Sequence, residues 1–71
     1  MTVLTITFGL HVDPSNLQSM VSSIAAYGNV YESENQRSFR VEVFRPSKLP
    51  GLQQRLIEWD RYGFLKWAEA T

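Results

Sequence analysis

From Val3 to Leu10 the chain alternates strictly, with Leu4, Ile6, Phe8 and Leu10 apolar and Thr5, Thr7 and Gly9 between them. A period of two with β-branched filler predicts a half-buried strand. Asp13-Pro14 then supplies a helix start, Asp13 as N-cap and Pro14 at the first helical position. Leu17, Met20, Val21, Ile24 and Tyr27 follow at helical spacing, and Gly28 suits a left-handed C-cap. Asn29 to Ser33 reads as a second strand, and the polar run Glu34-Asn35-Gln36-Arg37 as a hairpin turn. Phe39, Val41 and Val43 alternate with Arg40, Glu42 and Phe44 in a third strand, closed by Pro46.

The last third has two readings. Leu52, Leu56 and Trp59 keep helical phase, and one long helix from Ser47 to Thr71 would accommodate them. Gly63 after Tyr62 argues instead for a stop, with the residues from Phe64 to Glu69 as a short fourth strand. Sliding the chain on itself by 35 residues supports the stop. Leu17-Gln18 falls on Leu52-Gln53, Tyr27-Gly28 on Tyr62-Gly63 and Glu34 on Glu69, and the apolar phase is kept across three elements. The chain is then a single domain, 1–71, of two β-α-β halves, 1–35 and 36–71. Two such split units predict an α+β, ferredoxin-like βαββαβ sandwich: a four-stranded antiparallel sheet with both helices on one face. Right-handed crossovers put strands one and three in the centre.

That architecture leaves the other sheet face open. Leu4, Ile6, Phe8, Val30, Phe39, Val41, Val43, Leu65 and Trp67 are expected inward, against Leu17, Val21, Ile24, Leu52, Leu56 and Trp59 of the helices. Val3, Thr5, Thr7, Tyr31, Ser33, Arg40, Glu42, Phe44, Phe64 and Lys66 are expected outward. Glu32 shares the inward phase of Val30, so either that strand is bulged or Tyr31 and Glu32 exchange roles. Tyr31, Arg40, Glu42, Phe44, Phe64 and Lys66 form the candidate binding surface. Its aromatics could be incidental, could be covered by a second copy of the chain, or could stack single-stranded RNA bases. The run from Arg37 to Phe44 has a faint resemblance to the RNP1 pattern of RNA-recognition motifs. It departs by burying Phe39, placing Arg40 where Gly or Ala stands, and offering Val41 for an aromatic.

Charge lowers the RNA reading further. Seven Lys and Arg balance seven Asp and Glu, so no basic surplus exists to hold phosphates. With 44% hydrophobic and 20% charged residues the composition is that of a folded domain, and the absence of cysteine removes disulfides, thiolate chemistry and cysteine zinc sites. A chain this short buries only about 60% of the surface its unfolded form exposes, which favours a partner. No apolar run approaches a membrane span and no basic segment precedes the first strand, so a cytoplasmic location is expected.

The loop from Gly9 to Asn16 is the second candidate. Asp13-Pro14-Ser15-Asn16-Leu17, followed by Tyr27-Gly28-Asn29-Val30, resembles the opening of ACT regulatory domains over residues 1–32. It departs from them in having Asp and Pro adjacent, and Ser15 or Asn16 where that family has a ligand-contacting glycine. The resemblance implies a small polar effector near Asp13, Ser15 and Asn16. His11 is the only histidine and has only Asp13 near ligand spacing, so no metal is expected. Metallochaperones of this architecture need Cys-x-x-Cys in the loop, and acylphosphatases an arginine; neither stands between Met1 and Gln36. Arg55, Glu58 and Arg61 are spaced to pair along the outer side of the second helix, and Leu49 is expected at the surface. The expected function is non-enzymatic and cofactor-free: a protein–protein interaction or regulatory domain, self-associating through the open face or an edge strand. The partner is a homo-oligomer or an unidentified protein. The alternatives are the ACT-like sensor and, behind it, a weak RNA binder.

Overall fold

The structure, a computed structural model, describes residues 2–70; Met1 and Thr71, the ends of the expected domain, lie outside them. The elements are β1 (Val3–Phe8), α1 (Pro14–Ile24), β2 (Gly28–Glu32), β3 (Ser38–Val43), a 3-10 turn (Pro46–Lys48), α2 (Leu49–Arg61) and β4 (Leu65–Glu69). Two helices and one antiparallel sheet make an α+β fold. The strand order is β2-β3-β1-β4, so β1 and β3 lie inside and β2 and β4 form the edges. No helix of the described residues is long and apolar enough to cross a membrane.

Alternation decides which side chains meet. Leu4, Ile6 and Phe8 of β1, Phe39, Val41 and Val43 of β3, and Leu65 of β4 are buried in one cluster with Ile24, Leu52 and Leu56 of the helices. The register sets Ile6 opposite Phe39 and Leu4 opposite Val41, and the Phe8 and Phe39 rings meet edge to face at 5.6 Å. Each such side chain contributes about 1.5–3 kcal/mol over an exposed position. Val30, Trp67, Leu17, Val21 and Trp59, also expected inward, are partly buried against this cluster.

The long C-terminal helix does not occur, for a local reason. Gly63 is left-handed at φ 80°, its N–H donates to Asp60 O at 2.9 Å, and the Phe64 N–H donates to Trp59 O at 3.0 Å. This is a Schellman stop, which closes the last turn of α2 with hydrogen bonds and sets Phe64 beside Trp59.

Several boundaries differ from the sequence expectation. β1 ends at Phe8, because the Gly9 N–H reaches Phe64 O and the chain then turns back through a Val12 N–H to Gly9 O bond. Leu10 is consequently 87% exposed. Phe44 and Phe64 lie just outside β3 and β4. Gly28 is not the cap of α1: Ala25 caps it in right-handed conformation, and Gly28 opens β2. Glycine is needed there because a Cβ would collide with the Glu42 carbonyl and come within 2.9 Å of Val43 Cα. Leu49 is half-buried against the core rather than at the surface. The Arg55–Glu58 and Glu58–Arg61 pairs do not form; Arg55 Nε donates to the Tyr27 hydroxyl at 3.1 Å. β2 pairs with β3 in unbroken register, so no bulge explains Glu32.

Candidate functional site

The register writes out the open sheet face row by row. Tyr31, Arg40, Thr5 and Ala68 lie across its middle, with Asn29, Glu42 and Val3 on one side and Ser38, Thr7 and Lys66 on the other. Most of these side chains are small, which leaves Tyr31 as the one aromatic. Its ring lies under Arg40 at 5.1 Å, its hydroxyl donates to Glu42 Oε1 at 3.3 Å, and Arg40 Nη2 is 3.7 Å from Glu42 Oε2. Three of the six expected surface residues therefore engage one another. Lys66 Nζ reaches Asp60 of α2 at 3.1 Å.

The other two aromatics are elsewhere. The Phe44 N–H bonds Tyr27 O beyond the end of β3 where β1 begins, whereas Phe64 O accepts from Gly9 where β1 finishes. Opposite ends of a six-residue strand are roughly 20 Å apart. Tyr31, Phe44 and Phe64 do not make one platform.

The loop between β1 and α1 is held from two directions. Asp13 caps α1 by accepting the Ser15 N–H at 3.1 Å on Oδ1, with Pro14 at the first helical position. Arg37, on the hairpin turn between β2 and β3, donates from Nη1 to Gly9 O at 2.8 Å and to Val12 O at 3.0 Å. That turn is itself ordered by Asn35 Oδ1, which accepts from the Ser33 hydroxyl and the N–H groups of Arg37 and Ser38. Val12 packs into the core at 6% exposure. Val12 falls outside both apolar patterns of the sequence, and Arg37 reads there only as part of a polar turn and of the run that follows it. A signal for Val12 exists: it precedes the Asp13 cap and stands five residues before Leu17, the spacing of a hydrophobic staple. No local signal points from Arg37 to a loop so far back along the chain.

His11, Asp13 and Asn16 line a groove of about 420 Å³ with Val12, Met20, Trp59 and Phe64, while Ser15 is not part of it. The Schellman stop explains the Trp59–Phe64 wall. Above that wall Tyr62 stacks on Phe64 at 5.8 Å between centroids, and Ile57 shares a surface depression with Tyr62. Leu10 sits on the loop whose neighbouring residues, Gly9 and His11, touch Phe64 and the groove. Among the described residues Leu10, Ile57, Tyr62 and Phe64 are four of the six exposed large apolar side chains; Leu10 stands on the loop after β1, Ile57 and Tyr62 on the second half of α2 and its cap, and Phe64 just after the stop. Scattered exposed leucines mean little, but contiguous apolar surface marks a contact site. Among the described residues no three His, Asp or Glu side chains converge to hold a metal ion.

Compared with known protein families, with curated proteins and with solved structures, the chain matches none.

Proposed function

We propose that this chain is a small non-enzymatic association domain with the ferredoxin-like arrangement, both helices covering one face of the sheet, and that its partner is a second copy of itself. The surface is the apolar end formed by Leu10, Tyr62, Phe64 and the groove beside them, rather than the open sheet face or an edge strand. The exposure of Leu10 carries this reading: a leucine 87% exposed stands on a loop that Arg37 pins by two hydrogen bonds. A pinned loop has little conformational freedom left to lose on binding, which lowers the cost of association.

The end is self-complementary. It carries a protruding side chain next to an apolar groove, so a two-fold axis between them seats Leu10 of each copy in the groove of the other. A net charge of zero lets two copies approach without long-range repulsion. On the open face, by contrast, Tyr31 is already occupied by Arg40 and Glu42.

The test is solution mass by light scattering over a tenfold concentration range, for the native chain, Leu10→Glu and Phe44→Glu. The expected result is a native dimer that Leu10→Glu converts to a monomer and Phe44→Glu leaves intact. A native monomer throughout overturns the reading, as does an unchanged mass for Leu10→Glu. Loss of the dimer in Phe44→Glu alone moves the interface to the far end of the sheet.

A further inference from the structure

Glu32 is an exposed carboxylate that stands in the core-side phase of its strand. It shares the phase of Val30, and its register partner on β3 is the buried Phe39. Among the described residues Glu32 forms no ion pair. It lies at the last residue of the edge strand β2 and lines a cleft of about 270 Å³ between α1 and the hairpin turn.

Arg37 lines the same cleft. Its Nη1 is taken by the Gly9 and Val12 carbonyls, neither of which neutralises the guanidinium, and Nε and Nη2 have no acceptor among the described residues. Its position is thus set while most of its donors remain available. Leu17, Val21 and Phe39 supply the apolar part of the lining. One cation and one anion face the cleft without pairing with each other.

We propose that this cleft binds a small zwitterion, a free α-amino acid with an apolar side chain. The Arg37 fork takes the carboxylate, Glu32 takes the ammonium, and the side chain lies over Leu17, Val21 and Phe39. A guanidinium presents parallel N–H groups that match a carboxylate, and its prior anchoring reduces what binding must order. Other ligand classes fit less well on charge alone. A dicarboxylate meets Glu32, a diamine meets Arg37, and a neutral molecule covers both charges without compensating either. The cleft also lies just below the roughly 300–1,000 Å³ of drug-sized sites, which suits a ligand the size of an amino acid. The proposal does not rest on self-association, and its readout is binding rather than mass.

The experiment is a titration of the ¹⁵N-labelled protein with L-leucine, L-valine, L-methionine and 4-methylpentanoate, which is leucine without its ammonium, repeated in Glu32→Gln. At least one amino acid is expected to give saturable amide shifts centred on residues 14–21 and 32–39, with a dissociation constant near or below about 1 mM. Glu32→Gln, a change at an exposed side chain, should keep the native spectrum and weaken that amino acid about tenfold. The same variant should bind 4-methylpentanoate no worse than the native chain does. No saturable shift with any of the three up to about 10 mM overturns the proposal. Equal affinity in Glu32→Gln, or shifts centred on His11 to Asn16, overturns it equally.

Discussion

Arg37 Nη1 donates to the carbonyl of Gly9 at 2.8 Å across 28 residues of sequence, tying the hairpin turn to the end of the first strand. The same nitrogen reaches Val12 O at 3.0 Å, so one side chain spans the turn that displays Leu10. In return the Phe8 N–H donates to Arg37 O at 2.9 Å, which seats the arginine backbone beside the strand it clamps.

Removing that clamp should cost more than an ordinary surface change. Arg37→Ala deletes two hydrogen bonds from a charged donor; Gly9 O keeps the Val12 N–H, while Val12 O is left to find water, a loss of about 1.5–3 kcal/mol. Urea unfolding should show a lower midpoint at unchanged slope. Arg37→Lys should recover less than half of the loss, since the lysine stem is shorter and its freely rotating ammonium does not hold two N–H groups toward the two oxygens as the planar Nη1 does. A midpoint for Arg37→Ala within error of the native value would mean that the loop is held by Val12 and Asp13 alone.

The two glycines that the internal repeat superimposes do different work, and substitution should separate them. At Gly63 there is open space around a Cβ but φ is 80°, so Gly63→Ala carries left-handed strain of roughly 1–2 kcal/mol and Gly63→Asn noticeably less. At Gly28 the backbone is ordinary and the space is absent: a methyl group would press on the Glu42 carbonyl and on Val43 Cα. Gly28→Ala must push β2 off β3, and Gly28→Asn should be worse still, the reverse of the order at Gly63. Thermal melts of the four variants check this. Rescue by asparagine at both sites would show that conformation, not space, limits Gly28.

What the sequence made legible follows from the range of each interaction. Alternation in β1 and β3, helical phase in α2, the Asp13 cap and the Gly63 stop are settled by neighbours a few residues away, and each stands where expected. The displaced features are through-space ones. Leu10 continues the β1 alternation perfectly, yet Gly9 bonds to Phe64 and turns the chain before Leu10 can pair. Gly28 follows a helix and precedes a strand, and only the approach of β3 reveals which of the two needs it. Of the surface candidates, Tyr31, Arg40 and Glu42 come together as their shared face implied. Strand phase alone puts Phe64 on the open face, but the helix stop before it sets its position, which no count along β4 could show.

On α2 adjacent residues should respond oppositely to truncation. Leu56 is fully buried, and Leu56→Ala leaves a cavity beneath the sheet that should cost about 2–5 kcal/mol. Ile57 is about half exposed at the apolar end, and alanine is the better helix former, so Ile57→Ala should stay within about 0.5 kcal/mol of native stability. Chemical denaturation at a concentration where the mass is monomeric isolates this from any dimer. A loss at Ile57 comparable with that at Leu56 would mean α2 is rotated from the orientation described.

Tyr31, Arg40 and Glu42 look like a designed cluster, yet energetically they should matter little. The hydroxyl bond to Glu42 is long at 3.3 Å, the Arg40–Glu42 pair is wider still at 3.7 Å, and water reaches all three side chains. Exposed pairs of this kind contribute about 0–1 kcal/mol and are screened by salt. Tyr31→Phe keeps the ring beneath Arg40 and removes only the hydroxyl, so its effect should be under about 0.5 kcal/mol. Tyr31→Ala removes the ring as well, and with it the cation–π contact and the cover over the middle of the sheet, for roughly 1 kcal/mol more. The difference between Tyr31→Phe and Tyr31→Ala should persist in 1 M salt, because most of it is covered surface, whereas the small Tyr31→Phe effect should vanish. Should salt erase both differences, charge rather than cover would be what holds Tyr31 on the open face.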